Sequence, residues 1–197
     1  MKVLARYGSS NIKKLNHMFL GLLLPCAPVI MHCRAACSLT ATHKTKAHLE
    51  VFSCFLHLIL CNQLLIHPLF STEDFTVYLI YQEDMLFKKV NDRNARILLD
   101  KYDYPHDSLT EMIDRLSIRL EMYFFEEEAF PHELGVFLGY PIDDILAFMK
   151  EGGKNSLITG YWKVYSEVED AIELFSSFDL AKEEVYQWYL RNQRLRF

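Results

Sequence analysis

The strongest constraint on the fold is a run with two prolines and two glycines, FPHELGVFLGYP at residues 130–141. Proline has no backbone N–H and fits a helix only in its first turn. We therefore predict that Pro131 starts one short helix and Pro141 starts another. Gly139 and Tyr140 would form the joint between them. This is a helix–turn–helix joint and not a phosphate loop, because the glycine spacing and the Lys-Ser/Thr pair of such a loop are missing.

The same run carries two titratable side chains at the predicted start of its first helix. The unpaired N–H groups of a first turn stabilise anions, so the helix dipole alone favours Glu133 there. His132 titrates near neutral pH and is a candidate acid, base or ligand contact. Consecutive helical residues point about 100° apart, so the two side chains are not expected to act on one atom.

A second aromatic block, GYWKVY at residues 160–165, follows about twenty residues later and is predicted to be a strand. Alternation places Trp162 and Val164 on the core face and Lys163 on the other face. Lys163 is either a contact for an anionic or aromatic ligand or a lysine that guards a sheet edge. The predicted binding residues of the two blocks are Tyr140, Tyr161, Trp162 and Lys163.

The remaining pattern predicts a mostly helical α+β fold with a small sheet. The clearest strand is 75–81, which is rich in β-branched and aromatic residues, and 161–165 is the other. Asp107-Ser108 is a capping signal for a long amphipathic helix from Leu109. The other predicted helices are 11–24, ending at Pro25; 28–37, starting at Pro28; 48–63; 84–90; 92–101; 167–175; and 180–191, with 38–46 as a polar connection.

Composition favours one domain over residues 1–197, since 51% of the residues are apolar. Residues 1–70 carry seven Lys/Arg and one acid, and residues 71–197 carry fourteen Lys/Arg and twenty-five acids. Attraction between the two halves explains this asymmetry better than a nucleic-acid site, because no basic helix with interleaved aromatics is present.

Two apolar runs bear on location. Residues 18–24 resemble a signal peptide, but no cleavage pattern follows Pro25. Residues 51–70 are interrupted by polar residues and Pro68, which suits a buried helix that ends near Gln63 better than a membrane span. We therefore expect a cytoplasmic protein without a transmembrane helix.

Five cysteines lie between positions 26 and 61, an odd number that does not suggest a disulfide scaffold in a chain without an export signal. Cys26 precedes the helix predicted from Pro28, and a helix N-terminus lowers a thiol pKa. The candidate catalytic residues are therefore Cys26, His132 and Glu133.

The other cysteines are predicted on helix faces together with one histidine. Such faces suit a soft metal or a haem-like cofactor, or they are simply the small apolar side chains of a helical hairpin. The spacing fits no zinc template and contains no CxxC pair. The candidate metal ligands are Cys33, Cys37, Cys54, His57 and Cys61.

With these residues in view, the chain resembles an uncharacterised bacterial family of domains of unknown function. The similarity rests on Cys26-Ala27-Pro28, a strand ending at Tyr81, the FPHELGVFLGYP run and the GYWKVY block. It covers most of the chain from Cys26 onward, and the N-terminal helix up to residue 24 is expected to vary. The chain departs from the family pattern at Pro25, where the family has His, and at Val29-Ile30, where it has Thr-Leu. The resemblance implies a redox or iron-metabolism context and a flavodoxin-like partner.

Three hypotheses follow from the sequence. The first is a binding module for a small molecule or a protein, with its pocket where the FPHE and WKVY segments meet. The second is a thiol-dependent redox protein or enzyme that uses Cys26 with His132 or Glu133. The third is a metal or haem protein that uses the Cys/His faces.

Overall fold

The structure is a computed structural model that describes residues 9–125 and 128–193. It confirms a mostly helical α+β fold, with one sheet of three antiparallel strands in the order β1-β3-β2 and a two-stranded sheet β4-β5. Eight α-helices and five strands follow one another along these residues: α1 (Ser9–Ile30), β1 (Ala36–Thr42), α2 (Lys46–Cys61), β2 (Leu65–Ser71), β3 (Phe75–Tyr81), α3 (Glu83–Val90), α4 (Arg93–Leu99), α5 (Leu109–Phe125), α6 (Leu134–Phe137), α7 (Ile142–Glu151), β4 (Ile158–Thr159), β5 (Lys163–Val164) and α8 (Val168–Gln193). A 3-10 turn, Asp100–Tyr102, follows α4.

The predicted strand 75–81 is confirmed as β3, the central strand of the larger sheet. The sequence did not predict its neighbour β2, which contains Pro68. Proline is tolerated there because β2 is an edge strand and its pairing with β3 shifts register between Pro68 and Phe70. The turn between β2 and β3 is held by Thr72, whose N–H donates to the Phe75 carbonyl at 2.9 Å.

Helix α1 corrects the predictions for the N-terminal region. A single helix passes through Pro25 and Pro28 and ends at Ile30, so the helix predicted over 28–37 is wrong. Residues 36–42 form β1, so the polar connection predicted over 38–46 is wrong as well. The helix continues because it packs against α2 and α8 and fully buries Leu23, Cys26, Ala27 and Val29. That burial outweighs the two helical hydrogen bonds that the prolines cannot donate.

Helix α2 confirms the helical interpretation of residues 48–63. The Thr45 side chain accepts from the His48 N–H at the start, and the chain leaves the helix before Gln63, whose φ is 57°. The apolar run 51–70 is therefore divided between α2 and β2. Across 9–125 and 128–193, no helix combines the length and apolar character that crossing a membrane requires.

The C-terminal helices and strands differ in length from the predictions. The helices predicted over 167–175 and 180–191 are one helix, α8, since the hydroxyls of Ser176 and Ser177 donate back to helix carbonyls and do not break it. The strand predicted over 161–165 is reduced to β5 (Lys163–Val164), which pairs with β4. Helix α5 begins at Leu109 as predicted, with the Ser108 hydroxyl accepting from the Glu111 N–H at 3.3 Å.

Candidate functional site: two cavities that meet at Tyr140

The 130–141 run forms the joint between α6 and α7. Helix α6 begins at Leu134, three residues after Pro131, and Pro141 immediately precedes α7, with Gly139 at φ 75° between the two helices. A side chain at Gly135 would place its Cβ 2.9 Å from Ile145, so glycine allows α6 and α7 to approach. The joint presents Tyr140, whose ring stacks on Trp162 with centroids 5.3 Å apart.

Asp144 fixes the GYWKVY block against this joint. The carboxylate is 3% exposed and lies in the first turn of α7. Its Oδ2 accepts from the Trp162 indole N–H at 2.7 Å, and its Oδ1 accepts from the N–H groups of Tyr165 at 2.7 Å and Ser166 at 3.1 Å. The two aromatic blocks are thus joined through one buried acid whose two oxygens both have donors.

A cavity of about 350 Å³ lies where the two blocks meet, and we call it the apolar cavity. Its wall combines the 130–145 region with Phe148 and with residues 159–163, and most of it is apolar. Its lining side chains include Phe130, His132, Tyr140, Phe148, Trp162 and Lys163. The structure therefore brings together four of the side chains singled out from the sequence: His132, Tyr140, Trp162 and Lys163.

His132 lines the apolar cavity, and the hydrogen-bonding capacity of its side chain is unused among the described residues. Its ring lies 5.3 Å from the Phe130 ring and 5.3 Å from the Phe148 ring, centroid to centroid. Neither ring nitrogen has a hydrogen-bond partner within the described part of the chain. The aromatic contacts hold the imidazole in place and leave its nitrogens available to a bound molecule.

The Lys163 ammonium group has a partner that neither sequence interpretation named. Its Nζ donates to the Gly153 carbonyl at 2.5 Å and lies 6.0 Å from the centre of the Phe148 ring. The ammonium group therefore ties β5 to the end of α7, and the side chain contributes its carbon stem to the cavity wall.

Glu133 lines neither cavity, although its neighbour His132 lines the apolar cavity. It is fully buried and forms an ion pair with Arg119 of α5. The Tyr104 hydroxyl donates to Glu133 Oε1 at 3.2 Å. Burial and the neighbouring Glu133 charge raise the pKa of Tyr104. This Glu133 cluster, formed by Tyr104, Arg119 and Glu133, fastens the FPHE segment to α5 and to the turn that precedes it.

A second cavity, of about 420 Å³, lies on the other side of Tyr140, and we call it the cationic cavity. It is lined by Leu24 and Pro25 of α1, the Arg34 turn, the start of β1, the α6–α7 joint, Tyr161 and Lys182 of α8. Leu138 and Tyr140 line both cavities. None of the residues that line the cationic cavity is acidic.

Cys26 is not at a helix N-terminus, so the predicted reason for a low pKa is absent. It is fully buried inside α1, and its Sγ lies 3.6 Å from the Sγ of Cys37 in β1. The contact with Cys37 and the burial both raise the pKa of Cys26. The structure thus pairs Cys26 with Cys37 and not with His132, and Cys37 lines the cationic cavity.

The candidate metal ligands do not form one group. Cys33 lies in the turn after α1 and Cys37 lies in β1, so their predicted shared helix face is wrong. Cys54, His57 and Cys61 do lie on α2, where the Cys61 Sγ is 3.6 Å from the His57 Nε2. Within the described ranges, no three His, Cys, Asp or Glu side chains come close enough together to hold a metal ion.

Sequence reasoning missed three side chains of these cavities. Arg34 and Lys182 had no local signal, since one lies in a turn and the other on a long charged helix. Asp144 was interpreted as a helix-start or solvated charge, yet it is buried. An acid three residues after a proline is usual for a helix start. Asp144 differs from such an acid in its donors, Trp162, Tyr165 and Ser166, which lie about twenty residues further along the chain.

Taken together, these observations define a mostly helical α+β protein with two adjacent cavities on either side of one tyrosine. The chain belongs to the family described as "Protein of unknown function (DUF3793)", whose model matches residues 22–196. No curated protein and no solved structure matches it. The family description names no activity, so the proposals for function rest on the geometry of the two cavities.

Proposed function

We propose that this protein is a binding module that holds a small, flat and largely apolar molecule in the apolar cavity. The observation that carries this proposal is His132, which contacts two phenylalanine rings and has both nitrogens unused in a wall that is mostly apolar. Ligand sites commonly combine a mostly apolar lining with a few placed polar groups. The cavity volume of about 350 Å³ lies in the range of small-molecule sites.

The walls favour a planar ligand. Phe130, Phe148 and Trp162 line the cavity, and aromatic rings prefer stacked or edge-on contacts with other rings. His132 would accept one hydrogen bond from the ligand or donate one to it. The cytoplasmic location, the redox or iron context and the flavodoxin-like partner stay predictions from the sequence and from the resemblance.

Binding of N-phenyl-1-naphthylamine tests this proposal, because the probe is neutral, aromatic and carries one N–H. We expect saturable binding with energy transfer from tryptophan to the probe. His132→Leu keeps the apolar wall and removes the acceptor, so the affinity should fall about three- to tenfold, the value of one hydrogen bond. His17→Leu is the matched control, because His17 is exposed on α1, away from the residues that line the cavity.

Thr159→Phe provides a second variant, since Thr159 is exposed and lines the cavity, so a larger side chain there fills its mouth. This variant should abolish saturable binding. Equal affinities for the wild type, His132→Leu and Thr159→Phe would overturn the proposal, and so would the absence of saturable binding to the wild type.

A second candidate function rests on the contact between Cys26 and Cys37. We propose that these thiols form a reversible disulfide, since their sulfur atoms are 3.6 Å apart and a disulfide bond of about 2.05 Å needs only a short approach. A small-molecule disulfide is the oxidant: the Cys37 thiolate attacks it and releases one thiol, and Cys26 then displaces the second thiol from the mixed disulfide. Two protein thiols are oxidised and one disulfide is reduced to two thiols.

Glutathione disulfide serves as the probe for this thiol pair. Peptide mapping should show a Cys26–Cys37 crosslink that dithiothreitol reverses. Cys37→Ser should prevent any adduct on Cys26, and Cys26→Ser should accumulate the mixed disulfide on Cys37. Cys54→Ser on α2 is the control and should crosslink like the wild type. Labelling confined to the exposed Cys61 would contradict the redox candidate.

A further inference from the structure

We propose that the cationic cavity is a binding site for a small aromatic phosphomonoester, with Arg34 and Lys182 as its phosphate contacts. This site shares only Leu138 and Tyr140 with the apolar cavity and does not depend on the function proposed above. Both cations line the same cavity, and no lining residue is an acid. Within the described ranges neither cation forms an ion pair with a carboxylate. Two positive charges that share a cavity repel each other, and a bound dianion would offset that repulsion.

Arg34 is already oriented for an oxyanion. Its Nε donates to the Leu138 carbonyl at 3.0 Å, and its guanidinium carbon lies 5.3 Å from the Tyr140 ring centre and 5.5 Å from the Phe178 ring centre. These contacts use one N–H and place the guanidinium against two aromatic rings. Its two terminal amino groups have no hydrogen-bond partner in the part of the chain that the structure describes. They form the fork that binds phosphate oxygens in pairs.

Lys182 supplies the second positive charge. Its Nζ lies 4.3 Å from the centre of the Tyr161 ring, a distance at which the ring stabilises a cation. Tyr161 is held in turn, because its hydroxyl donates to Asp179 at 2.5 Å. Asp179 is exposed and is not among the residues that line the cavity.

The size and the walls of the cavity indicate what the phosphate is attached to. A volume of about 420 Å³ is in the range of sites for small organic ligands, which is more space than a bare phosphate ion fills. Tyr140 and Tyr161 contribute aromatic surface to the lining, and Leu24 and Pro25 contribute further apolar surface. A flat aromatic ring against these surfaces, with its phosphate directed to Arg34 and Lys182, would use both the apolar lining and the positive charge of the cavity.

Isothermal titration calorimetry with phenyl phosphate tests the proposal on the full chain. We expect one site per chain, with affinity that falls as the salt concentration rises. Phenol lacks the charge and should bind at least about tenfold more weakly, since hydrogen bonds between charged partners account for about that factor. Inorganic phosphate lacks the ring and should also bind more weakly than phenyl phosphate.

Lys182→Met is the first variant. Lys182 is only half-buried and lies within the long helix α8, and methionine keeps most of the side-chain length, so the variant should fold. It should lower the affinity for phenyl phosphate about fivefold or more. Arg34→Lys keeps the charge and removes the paired donors, so its affinity should also fall. Lys150→Met is the matched control, since Lys150 is exposed on α7 and lines neither cavity.

The outcomes separate this site from the apolar cavity. His132→Leu should bind phenyl phosphate like the wild type, and Lys182→Met should bind N-phenyl-1-naphthylamine like the wild type. Equal affinity for phenyl phosphate and phenol would overturn the phosphate site. Equal affinities of Lys182→Met and Lys150→Met for phenyl phosphate would overturn the phosphate site as well. Neither result bears on the apolar cavity, which is tested with N-phenyl-1-naphthylamine.

Discussion

Two buried acids hold the 130–141 region in place, and they do so by different means. Glu133 is fully buried and is neutralised by the Arg119 guanidinium, with one further bond from Tyr104. Asp144 is 3% exposed and is bound only by neutral donors: an indole N–H, two backbone N–H groups and a hydroxyl. Both acids lie in or beside the first turn of a short helix, so their local sequence settings are alike.

The contrast shows that a buried carboxylate can be stabilised by a charge or by dipoles, with different consequences. The Glu133 oxygen that does not meet Arg119, Oε2, is buried without a hydrogen-bond partner among the described residues. The buried Glu133 carboxylate is therefore stabilised mainly by the single positive charge of Arg119. The Asp144 carboxylate has four donors, three of them on Oδ1, so the loss of any one donor leaves three in place.

The largest effect is expected from Arg119→Met, which removes the cation and keeps much of the side-chain volume. A buried charge left without its partner costs about 3–5 kcal/mol of unfolding free energy. Urea denaturation followed by far-UV circular dichroism measures this loss.

The double variant Arg119→Met, Glu133→Leu is the control for this prediction. Replacing both members of a buried pair by apolar groups is often close to neutral, so most of the stability should return. If the double variant is as unstable as Arg119→Met, the loss comes from contacts other than the ion pair. These are the contact of the Arg119 guanidinium with the Tyr102 ring, 4.4 Å away, and the Tyr104 hydroxyl, which loses Glu133 as its acceptor.

Asp144→Asn should have an intermediate effect, about 2–3 kcal/mol. One amide oxygen can still accept the backbone N–H groups, but the amide NH₂ then faces the Trp162 N–H, and two donors cannot bond to each other. The tryptophan emission spectrum reports the loss, because Trp162 becomes more exposed to solvent. Asp143→Asn is the matched control, since its neighbour Asp143 is exposed, and it should change the unfolding free energy by less than about 0.5 kcal/mol.

The smallest effect is expected from Tyr104→Phe, about 1 kcal/mol near neutral pH, where it removes one hydrogen bond to Glu133. The wild type should also show a pH dependence here. Because the pKa of Tyr104 is raised above its ordinary value of 10, the folded state holds the phenolic proton more tightly than the unfolded state. The resulting stability is complete below about pH 10 and is lost as the pH rises through the raised pKa.

Unfolding free energies of Tyr104→Phe and the wild type at about pH 8 and about pH 10.5 test this sign. Their difference should shrink at the higher pH. A difference that stays constant would show that the phenolic proton is not held by the Glu133 cluster.

Local patterns in the sequence predicted the elements whose signals are local. Strand 75–81, the Ser108 cap and the Pro141 helix start all depend on residues within a few positions, and all three are confirmed. The failures are places where distant packing decides. Pro25 and Pro28 are helix breakers in isolation, but α1 is enclosed by α2 and α8 and continues through both.

The same contrast between local signals and distant packing holds for the two cavities. The expected pocket between the FPHE and WKVY segments followed from two aromatic blocks that are close in sequence. Of the predicted binding residues, Tyr140, Trp162 and Lys163 line the apolar cavity, whereas Tyr161 lines the cationic cavity. The cationic cavity could not be predicted this way. Arg34 and Lys182 lie almost 150 positions apart, and neither has a periodicity or motif that distinguishes it from a solvated charge.

The order of strands in the larger sheet has a consequence for how the molecule assembles. Strands β2 and β3 form a hairpin with a three-residue turn, whereas β1 reaches β3 only after the chain has passed through α2. Closing the longer loop between β1 and β3 costs more conformational entropy and is therefore slower. We expect the β2–β3 hairpin to form before β1 adds to it. The chain that leads into β1 and its first residues carry Arg34 and Cys37, so the cationic cavity is completed only when that strand arrives. Residues 130–163 form the wall of the apolar cavity without β1, and the two cavities should therefore mature at different times during refolding.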